Sequence, residues 1–241
     1  MSNHSTASNH PVATPEQWEA ARKQLLVREK EFTRLRDQLS QARRELPWLP
    51  VVKPYVFDGP AGKETLAQLF DGRSQLVIYH FMFGPDWDVG CKSCSFWADN
   101  FERNVVHLAA RDVTLVAVSR APFAKLDAFR KRLGWTFKWV SSYDNDFNFD
   151  YHVSFTAEAL ARGETYYNYA WSKSSMSERP GISVFYREGG DIFHTYSCYE
   201  RGLDMMNAAY HYLDLVPRGR DEADQHPGPQ GWVRHRDNYG R

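Results

Sequence analysis

Two cysteines separated by two residues carry the most evident chemistry in the chain, within Asp86-Trp87-Asp88-Val89-Gly90-Cys91-Lys92-Ser93-Cys94-Ser95-Phe96-Trp97. The thiolate is the nucleophile of thiol chemistry, and a second cysteine one helical turn on can close a small disulfide ring and release a mixed-disulfide partner. This spacing suits thiol–disulfide exchange, with Cys91 attacking and Cys94 resolving. Lys92 between the thiols favours a negative sulfur and Asp88 opposes it; the sequence leaves that balance open. The same pair is half of a zinc site, but a structural zinc takes about four ligands, usually with a second Cys/His pair. The chain has no second C-x-x-C and no H-x-x-x-H, its remaining cysteine is Cys198, and His80, His107, His152, His194 and His211 are scattered. A pair of inert core cysteines is the plain alternative, and the Gly/Pro-bearing loop just ahead of the pair weighs against it.

A strand ahead and a helix behind must position these thiols. Leu76 to Phe83 is too continuously apolar for a half-exposed strand and predicts one buried on both faces, as in the centre of an α/β sheet. Gly84-Pro85 ends it. From Ser93 onward Phe96, Trp97, Phe101, Val105 and Leu108 recur at helical spacing, which puts Cys91 at or just before a helix N-terminus, where unpaired N–H groups favour a thiolate. Val113 to Val118 is a second β-rich run, so strand, helix and strand imply a parallel pair with a right-handed crossover. Ligands gather at the carboxyl edge of such sheets, which makes Arg120, in Ser119-Arg120-Ala121-Pro122, a candidate for holding an anionic or peptide substrate near Cys91. Its plain alternative is an ion pair with Asp127 or another acid.

The remaining chain sets the class. Its 241 residues allow one α/β domain with extensions. Lys and Arg number 30 against 30 Asp and Glu, so no global charge argues for nucleic acid or a membrane. Aromatic residues make up 15%, and without a basic stripe they predict core and cleft lining, not a stacking platform for bases. Three cysteines do not make a secreted disulfide framework, and no apolar leader or bilayer-length stretch is seen, so a reducing cytoplasm is expected.

Along the chain, residues 1–14 predict a disordered lead and 15–46 an N-terminal helix opened by Thr14-Pro15-Glu16-Gln17. Residues 47–216 form the main domain. Within it Tyr55 to Lys63 predicts a strand and turn, Glu64 to Phe70 a helical turn, Phe123 to Leu133 a helix closed by Gly134, and Trp135 to Val140 a short strand. Ser141 to Ala170 predicts an irregular insertion. Gly181 to Tyr186 and Asp191 to Tyr196 form a hairpin around Gly189-Gly190, followed by a helix from Gly202 to Leu215. Residues 217–241 predict a tail in which Trp232-Val233 can fold back.

This order of elements resembles the thioredoxin-like superfamily: a mixed central sheet flanked by helices, here with a long N-terminal helix and a C-terminal tail added. In that superfamily a cis proline precedes the first hairpin strand and faces the dithiol, and Pro180 stands at that place. More closely, Phe81-Met82-Phe83-Gly84-Pro85-Asp86-Trp87, Cys91 to Asp99, Val116 to Pro122 and Arg201-Gly202-Leu203-Asp204 resemble a bacterial and fungal family of unknown function (domain of unknown function 899), whose members are described by fold analogy as dithiol–disulfide oxidoreductases. The family usually has a proline where this chain has Lys92, which would alter thiol pKa and potential, and a threonine where it has Cys198.

The expectation is therefore an oxidoreductase with Cys91 as nucleophile, Cys94 as resolving thiol and Pro180 beside them, and with Trp87, Asp88, Lys92, Ser93 and Arg120 lining the substrate. It needs no cofactor beyond its own redox-active disulfide. Its expected partners are a protein or small-molecule disulfide and a thiol reductant, not nucleic acid or a membrane, with homo-oligomer formation open. The alternative is a copper-binding protein using Cys91, Cys94 and His194, since soft thiolates favour Cu(I). A peroxidase of the peroxiredoxin kind fits less well, because Asp88-Val89-Gly90 stands where those enzymes carry Thr or Ser, and a binding module without catalysis remains a further alternative.

Overall fold

The apolar run ahead of the cysteines is buried on both faces because it lies inside an eight-stranded mixed sheet. The computed structural model describes residues 10–226 and 228–240; most of the expected lead, residues 1–9, lies outside them. The chain forms two compact units, Met1–Leu46 and Pro47–Arg241. The first is built on α1 (Pro15–Arg44), which starts at a reciprocal cap: the Thr14 hydroxyl accepts from the Gln17 N–H at 3.3 Å, and the Gln17 amide oxygen accepts from the Thr14 N–H at 3.0 Å. No residue of α1 is buried.

The second unit runs β1 (Leu49–Pro50), β2 (Val56–Gly59), β3 (Gly62–Thr65), α2 (Leu66–Leu69), β4 (Gln75–His80), α3 (Lys92–Ala98), α4 (Val105–Ala109) and β5 (Val113–Ser119). It continues with α5 (Phe123–Leu133), β6 (Lys138–Ser141), α6 (Phe147–Asp150), α7 (Ala157–Arg162), β7 (Thr165–Tyr167), β8 (Ala170–Ser172), β9 (Gly181–Glu188), β10 (Asp191–Tyr199) and α8 (Ala208–Leu213). The main sheet has the order β1-β10-β9-β4-β5-β6-β2-β3. β4, β5 and β6 are parallel, and β9 joins β4 antiparallel with His80 opposite Gly181. The β9–β10 turn takes Gly189 and Gly190 at φ 61° and 104°, the left-handed pair that a two-residue hairpin needs. This is the thioredoxin-like arrangement, a parallel unit and an antiparallel hairpin meeting at the strand that leads to the dithiol.

Alternation along β4 divides the core. Tyr79, with Phe81, Ala117, Trp139 and Ile182, packs towards α3 and α5, whereas Leu76 and Ile78 face Leu66, Leu69, Phe57, Phe147 and Phe185 on the other side. The segment 141–170, expected to be irregular, instead holds α6, α7, β7 and the start of β8. It is ordered because Phe147 and Tyr151 are buried against the back of the sheet, while the Asn148 carbonyl accepts from the Val153 and Ser154 N–H groups at 3.0 and 3.2 Å. No helix among the described residues is long and apolar enough to cross a membrane.

Candidate active site

Met82, just past the end of β4, fixes both cysteines through its backbone. Its carbonyl accepts from the Cys91 N–H at 3.0 Å, closing the loop 83–90, and its N–H donates to the Cys94 sulfur at 3.4 Å. Gly90 lets the loop enter: a Cβ there would lie 2.8 Å from Phe81 and 3.1 Å from Phe129. Lys125 on α5 ties the loop down by donating to the Pro85 and Trp87 carbonyls at 2.9 and 3.1 Å. Cys91 is the N-cap of α3, and its sulfur accepts from the Cys94 N–H at 3.5 Å. The thiols are not joined in a disulfide.

The two sulfurs have unlike surroundings. Cys91 is half-buried, and its pKa is held down at about 7, first by the Cys94 thiol that donates to it and then by the N–H groups of Cys94 and Ser93 and the Ser93 hydroxyl, against the opposing effect of burial. Cys94 is 2% exposed, and burial pushes its pKa well above the usual thiol range, with the charge of Cys91 acting in the same direction. The buried Tyr79 hydroxyl is a hydrogen-bond partner of Cys94 and works against that rise. The surroundings thus favour the charged form of one thiol and the protonated form of the other.

The other expected residues distribute unevenly. Ser93 and Lys92 are in the first turn of α3, Lys92 donating to the Gly231 carbonyl at 3.3 Å, while Asp88 is exposed at the loop tip. Trp87 is half-buried and packs against the front core. Pro180 immediately precedes β9, and its carbonyl accepts from the Tyr167 hydroxyl at 2.7 Å; that phenol in turn lies within the field of Cys94. Arg120 does not pair with Asp127, which is taken by Arg130 and Lys131. It pairs with buried Glu178 at 3.1 Å and stacks over the Phe149 ring at 4.3 Å.

The alternative ligand set Cys91, Cys94 and His194 is not assembled. The His194 ring accepts or donates at Ser197 Oγ, 2.7 Å away, and packs against Tyr151 and Phe185 of the back core, whereas Cys91 and Cys94 belong to the front core. Among the described residues no group of three or more His, Cys, Asp or Glu could hold a metal ion. Sequence reasoning missed Tyr79, Gly90, Tyr167 and the C-terminal residues that reach the dithiol loop. Only Trp232-Val233, an apolar pair in a polar tail, signalled the last of these.

Residues 7–239 match the family of bacterial proteins of unknown function DUF899. The chain belongs to that family. No curated protein matches it. Among solved structures, peroxidoxin BcpB from Mycobacterium tuberculosis is similar at 13% identity over 68% of this chain and 96% of its own, with a TM-score of 0.48. A cysteine mutant of peroxiredoxin Q from Xanthomonas campestris is similar at 17% identity over 65% of this chain and 90% of its own, with a TM-score of 0.45. The mitochondrial 2-cys peroxiredoxin from Plasmodium falciparum follows at 11% identity over 66% and 90%, with a TM-score of 0.41.

Proposed function

We propose that this protein is a dithiol–disulfide oxidoreductase in which Cys91 is the nucleophile and Cys94 the resolving thiol. The observation that carries the reading is the placement of the two thiols one helical turn apart, Cys91 half-buried at the cap of α3 with its sulfur accepting from the Cys94 N–H, and Cys94 buried behind it with its sulfur accepting from the Met82 N–H. The Cys91 thiolate attacks one sulfur of a substrate disulfide, forming a mixed disulfide and expelling the other sulfur as a thiolate that takes up a proton. Cys94 then loses its proton and attacks the Cys91 sulfur, releasing the second substrate thiol and leaving the Cys91–Cys94 disulfide. The substrate gains two electrons and two protons, which an external thiol reductant returns to the protein. The protein's own disulfide is the only redox group required, and a reducing compartment such as the cytoplasm suits a pair that must return to the dithiol.

Cys91→Ser is expected to abolish thiol-dependent reduction of a disulfide, and Cys94→Ser to retain the first step and accumulate a mixed disulfide visible by mass spectrometry. Turnover unchanged in Cys91→Ser would exclude this mechanism.

A further inference from the structure

Dithiol exchange does not by itself say how large a substrate can reach Cys91; the inference below concerns that question and rests on the dithiol reading. The C-terminal segment turns back onto the site. Val233 is fully buried, and Trp232 meets Phe96 of α3 edge-on with ring centroids 5.4 Å apart. Two contacts then flank the nucleophile in sequence. His235 Nε2 lies 2.9 Å from the Gly90 carbonyl oxygen, and Lys92 Nζ donates to the Gly231 carbonyl at 3.3 Å. Because a carbonyl only accepts, Nε2 carries the proton and Nδ1 is left to accept from Arg132 Nη2, 3.4 Å away.

Arg132 also latches the far end. Its Nε and Nη2 donate to the two carboxylate oxygens of Asp237 at 2.8 and 2.9 Å, the bidentate geometry that suits a guanidinium and a carboxylate. The pairing holds the Asp237 carboxyl down at about 2. The segment is thus anchored by an apolar plug at one end and an ion pair on α5 at the other, with its middle against the residues on either side of Cys91.

We propose that Gly231 to Asp237 is a strap beside the entrance to Cys91 that selects substrates by size, admitting low-molecular-weight disulfides and excluding disulfides held in folded proteins. Attack on a disulfide needs the three sulfurs near one line, with the leaving sulfur pointing away from Cys91. A small disulfide meets that requirement through a narrow opening. A disulfide in a folded protein brings chain on both sides, and here the surfaces at Gly90 and Lys92 are already occupied. The latch is a partly exposed ion pair, weak and salt-sensitive, so the strap is releasable without unfolding the core.

The test uses the reduced full-length protein and compares rates of modification at Cys91 by N-ethylmaleimide and by a maleimide carrying a long polyethylene glycol chain, with the site read by peptide mass. Arg132→Ala and Asp237→Ala should each raise the rate with the bulky reagent roughly two- to fivefold, the change that loss of such a pair allows, and leave the small reagent's rate unchanged. Added salt should move the wild type towards the variants. Equal rates with both reagents in the wild type, or variants that move both rates together, would overturn the strap. Reduction of a glutathione-sized disulfide and of insulin separates this from the dithiol reading. An unaltered reagent ratio with intact turnover removes the strap alone, and an altered ratio with no turnover of either disulfide removes the dithiol reading while the strap stands.

Discussion

Cys91 and Cys94 are three positions apart and face different environments, because α3 turns the second thiol into the front core and leaves the first half-exposed at its cap. The consequence is readable in pH. Reduced protein should be alkylated at Cys91 with a rate that rises through a midpoint of about 7, where an unperturbed thiol ionises near 8.5. The linkage to stability has the corresponding sign. A depressed folded-state pKa stabilises the reduced protein above the unfolded-state value near 8.5, and that contribution is lost as pH falls through about 7. Iodoacetamide kinetics between pH 5 and 10 check the midpoint; a value at or above 8.5 would show that the Cys94 thiol and the N–H groups around Cys91 do not hold its charge. Asp88 is exposed to solvent and Lys92 is engaged with Gly231.

The loop between β4 and α3 is the element that sets the position of Cys91. It is closed by the Cys91 N–H on Met82 and pressed against Phe81 and Phe129 at Gly90. Gly90→Ala should destabilise the protein by about 1–3 kcal/mol, the usual cost of an extra methyl in a packed site, and should disturb the Cys91 midpoint because the displaced peptide is the one that sets the cap. Urea unfolding and the alkylation profile together test this, and a variant matching the wild type in both would show that the aromatic rings yield freely. The continuous run of β4 and the β-branched run of β5 appear where periodicity puts them, whereas the recurrence from Ser93 to Leu108, read as one helix, is split into α3 and α4 by turns over 99–104. The contents of 141–170 were not legible in that way, since α6 and α7 have four and six residues, too short to display a period, and are ordered by burial of Phe147 and Tyr151.

Across the whole molecule, the sheet carries a buried hydrogen-bond chain on the face away from the dithiol. His80 Nε2 lies 2.9 Å from Ser183 Oγ, Ser183 Oγ 2.9 Å from Ser197 Oγ, and Ser197 Oγ 2.7 Å from His194 Nε2. Burial, with His194 nearby, lowers the His80 pKa to about 3, and its ring stacks on Phe147 and Tyr151. The unfolded chain therefore binds a proton at this position below about 6.5 that the folded protein refuses down to about 3, and stability falls as pH drops through that window. Buried Glu178, whose pKa burial raises, acts oppositely and is relieved by acid. The loss in the wild type should exceed that in His80→Asn by an amount on the order of several kcal/mol between pH 6.5 and 3. Denaturant midpoints at several pH values measure it, and parallel curves for the two proteins would remove His80 as the cause.

What the sequence by itself determined is what depends on near neighbours: a two-faced strand, a cysteine pair at a helix start, a parallel crossover and a glycine hairpin. These follow from periods of two and 3.6 residues and from turn chemistry, all of which lie within a few positions of one another. Tertiary structure alone decided that Arg120 meets Glu178, 58 positions on, and that His235 reaches Gly90 across 145. It also decided that His194 packs on Tyr151 of the back core and that Cys94 is buried while Cys91 stays half-buried. The reason is physical: an ion pair, a desolvated thiol or a strap depends on which distant groups the fold brings within a few ångströms, and desolvation is a property of the packed surroundings, not of the residues adjacent in the chain.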